Sequence, residues 1–118
     1  MRAVFVESTE FTEWVGEYLS DDAYAAFQQQ LMTTPDRGDV MPGCGGLRKV
    51  RASDTIRRRG ARGGVRIIYL YVPAVKRFYL LDIYGKGEKD DLSPSERKAL
   101  SRLADEIKAV ATKSRSRQ

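Results

Sequence analysis

The stretch RRRGARGGVRIIYLYV, residues 57–72, places five arginines just before or within an apolar and aromatic run: Arg57, Arg58, Arg59, Arg62 and Arg66. Arg48, Lys49 and Arg51 precede them in LRKVRAS, and Lys86 follows the next apolar run. Between residues 47 and 86 there are eleven basic side chains and two acidic ones. A guanidinium offers a planar fork of donors that matches phosphate oxygens, and it stacks on bases. The residues missing from the chain limit what such a patch can catalyse. There is no histidine and a single cysteine, Cys44. A two-histidine ribonuclease is excluded, a zinc centre has too few ligands, and no metal or other cofactor is expected.

Cleavage of RNA by this chain would have to run on lysine, arginine and tyrosine. A lysine among like charges has its pKa lowered and approaches the range of a general base. An arginine can hold the charge that develops on a phosphorane-like transition state. The nucleophile would be the 2′-hydroxyl of the RNA. Tyr69, Tyr71, Tyr79 and Tyr84 interleave with the charges and could stack exposed bases, at roughly 1–3 kcal/mol each. Most of them read as core. Tyr84, two residues before Lys86, is the best candidate for a site role.

The charge is divided unevenly. Residues 1–46 carry a net −6 and residues 47–118 a net +11, for +5 in all. An acidic front and a basic back point to a polyanionic partner, nucleic acid ahead of an anionic membrane. No apolar run approaches the ~18 residues of a membrane span. The N-terminal residues lack the apolar stretch and cleavage site of a secretory signal. One cysteine cannot form an internal disulfide, which fits a reducing cytoplasm.

Three strands must carry the basic residues. Leu47–Ser53, Val65–Val72 and Arg77–Tyr84 read as strands, the last two joined by Pro73–Lys76 as an antiparallel hairpin. Alternation sets Leu47, Lys49 and Arg51 on one face and Arg48 on the other, and groups Arg66 with Ile68, Leu70 and Val72. Residues 35–46 read as a loop and 54–64 as a basic connection. Ahead of them, Ala3–Val6 reads as a short strand, and Ser8 or Thr9 caps a helix with Phe11, Trp14, Val15, Tyr18 and Leu19 as one stripe. Ser20 caps a second helix with Tyr24, Phe27 and Leu31 on its face. Ser93-Pro94-Ser95-Glu96 is a capping box with proline at the first helical position. Leu100, Leu103, Ile107 and Val110 give that last helix its stripe. Asp82 reads as a sheet residue or an arginine's partner, and Asp90 and Asp91 as a solvated turn. The expected whole is one α+β domain over residues 1–112 with a flexible basic tail at 113–118.

Taken in order, GGLRKVR, RGGVRIIY and IYGKGEKDDLS, with VFVEST and EYLSDDAY before them, resemble the HigB-type toxins of the RelE/ParE superfamily, part of type II toxin–antitoxin systems. The resemblance runs to about residue 112. It implies a RelE-like fold, with a twisted antiparallel sheet, two N-terminal helices packed on it and one C-terminal helix. It implies a ribosome-dependent, metal-independent mRNA endoribonuclease acting in the ribosomal A site, neutralised by a HigA-like helix-turn-helix antitoxin. Carried over by motif, Lys49 and Arg51 are the basic pair of the first site strand, Arg66 the transition-state stabiliser and Lys86 the cation after the third strand. Relatives carry a C-terminal tyrosine that is absent from GEKDDLS, so Tyr84 or Lys49 would stand in for it, or the ribosome would supply part of the catalysis. Arg48, Arg57, Arg58, Arg59 and Arg62 become contacts to RNA. The alternatives are a ParE-like gyrase inhibitor on the same fold and a non-enzymatic RNA-binding module.

Overall fold

The computed structural model describes residues 1–56, 64–85, 88 and 91–116, with side chains described as far as residue 111. Arg57, Arg58, Arg59, Arg62 and Lys86 lie outside the described residues. The elements run β1 (Val4–Glu7), α1 (Thr9–Trp14), a 3-10 turn at Val15–Glu17, α2 (Asp21–Thr33), β2 (Asp39–Val40), β3 (Arg48–Ala52), β4 (Val65–Val72), a 3-10 turn at Pro73–Val75, β5 (Arg77–Gly85) and α3 (Pro94–Ser116).

Each helix starts where its capping chemistry lies. The Ser8 hydroxyl accepts from Phe11 N at 3.0 Å and the Ser20 hydroxyl from Ala23 N at 3.2 Å. At α3 the box is reciprocal: Glu96 N donates to Ser93 Oγ at 3.1 Å, and Ser93 N donates to Glu96 Oε1 at 2.8 Å. Each bond satisfies a backbone donor that the helix itself leaves without a partner.

The five strands lie in the order β1-β5-β4-β3-β2. The fold is α+β with an open sheet, but that sheet is mixed rather than antiparallel. β1 runs parallel to β5, Val4 opposite Arg77 through Glu7 opposite Leu80. A four-residue segment cannot announce its distant partner, which is why sequence alone misses the direction. β2, a two-residue strand on the far edge, lies within a segment of loop-like composition; it pairs Asp39 with Lys49 and Val40 with Arg48.

The helices cover opposite faces. α1 and α2 pack with Phe11, Phe27, Leu31, Val65, Ile67, Tyr69, Phe78 and Leu80. α3 packs with Leu47, Ile68, Leu70, Val72, Leu81 and Tyr84 on the other side. Two expected stripe residues are turned outward. Trp14 is 42% exposed, because α1 ends there and tightens into the 3-10 turn, which rotates the following residues. Val110 is exposed as well, while Ala104 and Ala111 take the buried positions on α3.

A register shift in β5 sets the site's geometry. Ile68 pairs with Asp82 and Tyr69 with Leu80, so Leu81 is the extra residue of a bulge. A bulge reverses the alternation beyond it. Phe78 and Leu80 face α1 and α2, yet past the bulge it is Ile83 that faces them. Tyr84 is thereby turned to the α3 face.

Candidate nucleic-acid interface

At the end of the sheet away from the β4–β5 hairpin, Arg51, Arg66 and Tyr84 are direct register partners across β3, β4 and β5. The adjoining row is Lys49, Ile68 and Asp82. Opposed residues of antiparallel strands share a face. Lys49, Arg51, Arg66 and Tyr84 therefore stand together on the side covered by α3. Without the bulge at Leu81, Tyr84 would point to the aromatic core and the row would end at Arg66.

The row has an exposed half and a buried half. Arg51 is exposed and Lys49 is half-buried. Arg66 is 6% and Tyr84 3% exposed. Arg66 Nη1 donates to the Val65 carbonyl at 3.3 Å.

Carboxylates also enter the patch, which the count of charges along the chain did not anticipate. Lys49 Nζ lies 3.3 Å from Asp91 Oδ1, and that oxygen also accepts Leu92 N at 2.7 Å. The Leu92 amide, aided by Lys49, holds the Asp91 carboxyl below its usual value. Asp91 lies exposed at a bend, as a solvated turn would, and its carboxylate also joins the segment entering α3 to Lys49 on β3. Among the described residues, Lys49 thus has a carboxylate as its ion-pair partner as well as Arg51 and Arg66 on its face. Asp82 Oδ1 accepts the Ile83 amide at 2.9 Å.

The Tyr84 phenol is pushed up to about 12, by burial first and by the Asp91 and Asp82 carboxylates next, with Arg66 opposing. At neutral pH only about one part in 10⁵ is phenolate by that figure. A phenol held protonated in this way suits proton donation better than base duty.

Arg48 is not brought into this group. It projects from the opposite face, opposite Tyr69, and its Nη1 donates to the carbonyls of Asp36 at 2.8 Å and Gly38 at 3.2 Å. The Tyr69 hydroxyl donates to the Pro35 and Arg37 carbonyls at 2.9 and 2.7 Å. The two side chains bind the loop that leads into β2. Gly38 holds a φ of +81°, and a Cβ there would lie 2.4 Å from the Lys49 carbonyl oxygen. The glycine lets the loop close onto β3.

Sequence reasoning missed Asp91, and with it Arg97, whose charge acts on the Asp91 carboxyl and whose Nη2 donates to the Pro42 carbonyl at 3.2 Å. The available signal was Asp91-Leu92 directly before the capping box, a position from which an aspartate readily accepts the next backbone amide. Cys44 is buried and its thiol faces the Pro42 carbonyl at 3.4 Å. Among the described residues no group of three or more Cys, Asp or Glu side chains is placed to hold a metal ion, and no helix is long and apolar enough to cross a membrane.

The α+β fold, a mixed five-stranded sheet with helices on both faces, is shared with a solved toxin structure. The Escherichia coli RelE toxin in its free state, as a double arginine-to-alanine mutant, superposes with a TM-score of 0.50 at 10% identity, over 76% of this chain and 90% of that one. A crystal structure of the isolated E. coli RelE toxin aligns with a TM-score of 0.47 at 14% identity, over 86% of this chain and 99% of that one. At such identity the first likeness speaks for the fold. No protein-family model matches the chain.

Proposed function

We propose that this protein is a type II toxin that cuts translated mRNA in the ribosomal A site and so stops protein synthesis. The observation that carries the reading is the cross-strand row Arg51–Arg66–Tyr84, with Lys49 beside it on the same face. In this reading Lys49 and Arg51, the more accessible cations, take the sugar–phosphate backbone first. Arg66 stabilises the charge on the phosphorane-like transition state. The 2′-hydroxyl gives its proton to solvent water as its oxygen forms a bond to the adjacent phosphorus, and the bond from phosphorus to the 5′-oxygen breaks. The neutral Tyr84 phenol gives its proton to that leaving oxygen. The products are a 2′,3′-cyclic phosphate and a 5′-hydroxyl end. Lys86, next in sequence after β5, is a further cation of the site in this proposal, and Arg57, Arg58, Arg59 and Arg62 are contacts to the RNA backbone. No metal is assigned a role. The partners are the ribosome with its mRNA and a HigA-like helix-turn-helix antitoxin.

Pulse labelling after brief induction tests the reading. Methionine incorporation should fall before thymidine incorporation, and new mRNA 5′ ends should appear within open reading frames. Thymidine incorporation falling first would instead identify a gyrase poison, and loss of translation without new ends a non-cleaving RNA binder.

A further inference from the structure

A second cationic feature lies around the edge of β3 from the row. Between α2 and β3 is a cleft of about 290 Å³, with Leu19, Ala23, Phe27 and Ala52 as its apolar wall and Arg37 and Arg51 at its polar side. Its lining, among the described residues, includes two arginines and no acidic residue. Arg37 is not adventitiously placed. Its Nη1 donates to Gln30 Oε1 on α2 at 2.8 Å, and its backbone carbonyl accepts the Tyr69 hydroxyl. The guanidinium is tied to one wall of the cleft and the backbone to the buried sheet.

The volume is at the small end of ligand pockets, roughly 300–1,000 Å³. Apolar small side chains on one side suit a flat ring, and the Arg37 guanidinium, held by Gln30, suits a phosphate. Arg51 connects the two features. It lines the cleft and is also the register partner of Arg66, one strand spacing of about 4.8 Å away.

We propose that this cleft is a nucleotide subsite for the RNA strand running on from the phosphate held at Arg66, the base against Ala23, Phe27 and Ala52 and the phosphate at Arg37, with Arg51 at the edge of β3 linking the two. The inference rests on the reading of the protein as an RNA-cutting toxin and adds Arg37 to its binding residues. Arg37 and the cleft wall contribute binding rather than chemistry, since they stand apart from the reacting phosphate. Loss of Arg37 therefore raises KM and leaves kcat in place.

The test joins two measurements on the same purified protein. The first follows the methyl signals of Ala23, Ala26 and Ala52 by NMR during titration with a trinucleotide whose 2′-hydroxyls are methylated, so that it cannot be cut. The second measures cleavage of mRNA on programmed ribosomes. The cleft methyls should shift with the trinucleotide. Arg37→Ala should weaken that binding and raise KM about tenfold, the scale of a lost hydrogen bond to a charged group, with kcat unchanged. Ala26→Glu, at an exposed helical position that tolerates glutamate, should do the same by setting a carboxylate at the cleft. Silent cleft methyls with intact ribosomal cleavage would overturn the subsite and leave the toxin reading standing. Absent cleavage by the wild type would overturn the toxin reading itself, whatever the methyls report. A fall in kcat with Arg37→Ala at unchanged KM would also overturn the subsite as described.

Discussion

The two faces of the sheet are built from the same strands and do different work. The face under α1 and α2 is an apolar and aromatic layer with Arg48 at its β3 edge. Phe78 stacks on Phe5 at 4.9 Å and on Tyr71 at 4.4 Å, and Phe11, Leu31 and Tyr69 are fully buried. The face under α3 is apolar only toward the hairpin, where Leu70 and Val72 share a cluster with Ala104 and Ala111. At its other end it carries Lys49, Arg51, Arg66, Asp82 and Tyr84. β4 serves both faces because side chains alternate along a strand. Ile67 and Tyr69 support the core while Arg66, between Val65 and Ile67, belongs to the charged end. One face supplies a rigid floor on which the other can hold charges close together.

The sharpest way to break this comparison is to damage the floor. Leu31→Ala on α2 should cost about 2–5 kcal/mol of stability, read by urea denaturation, and should lower RNA cleavage only as far as it lowers the folded fraction. Cleavage lost in a fully folded Leu31→Ala protein would mean that the two faces are not separable.

Alkaline titration is next in expected effect and reaches both faces. Burial pushes Tyr69 and Tyr84 up to about 12, and Tyr24 is also raised, by burial and by the Glu7 carboxylate that accepts its hydroxyl at 2.6 Å. A phenol whose folded value lies above its unfolded value of 10 stabilises the fold fully below pH 10. That contribution is lost as pH rises from 10 through about 12. Circular dichroism should show stability falling across that window, together with phenolate absorbance. Phenolate signals from all six tyrosines near pH 10, with the fold intact, would contradict the burial argument.

Smaller effects are expected around the charged end. Ser93→Ala removes the cap of α3 and should cost about 1 kcal/mol, measured by thermal unfolding. The Lys49–Asp91 pair is partly solvated, and a double-mutant cycle with Lys49→Ala and Asp91→Asn should give a coupling below about 1 kcal/mol. The Lys49 change should nonetheless flatten the salt dependence of RNA binding, by about 0.7 in the log–log slope for a lost single-strand phosphate contact. An unchanged slope would place Lys49 outside the interface.

Local chemistry made much of this molecule legible in the sequence. Ser8, Ser20 and the Ser93–Glu96 box mark the helix starts because caps are short-range hydrogen bonds. The β4–β5 hairpin follows from two apolar runs around Pro73–Lys76. The separation of Arg48 from Lys49 and Arg51 follows from alternation alone. What stayed hidden depends on contacts distant in the chain. The parallel pairing of β1 with β5 joins segments some seventy residues apart. The bulge at Leu81 is one extra residue in an otherwise ordinary strand, and it decides which face Tyr84 occupies. The arrival of Asp91 at Lys49 spans 42 residues, so a patch that looks purely cationic along the chain holds a carboxylate in space. The exposure of Val110 and Trp14 reflects how far a helix has rotated where it meets the sheet, which a stripe of apolar letters does not fix.

Cleavage of mRNA on programmed ribosomes by Arg66→Gln, beside wild type, tests the central claim most directly, with folding of the variant checked by its thermal unfolding. Loss of transition-state stabilisation at Arg66 predicts a drop of about 10²–10³ in kcat, with wild type leaving cyclic-phosphate and 5′-hydroxyl ends. A folded Arg66→Gln protein that cuts at the wild-type rate would contradict the assignment of the β3–β5 row as the site.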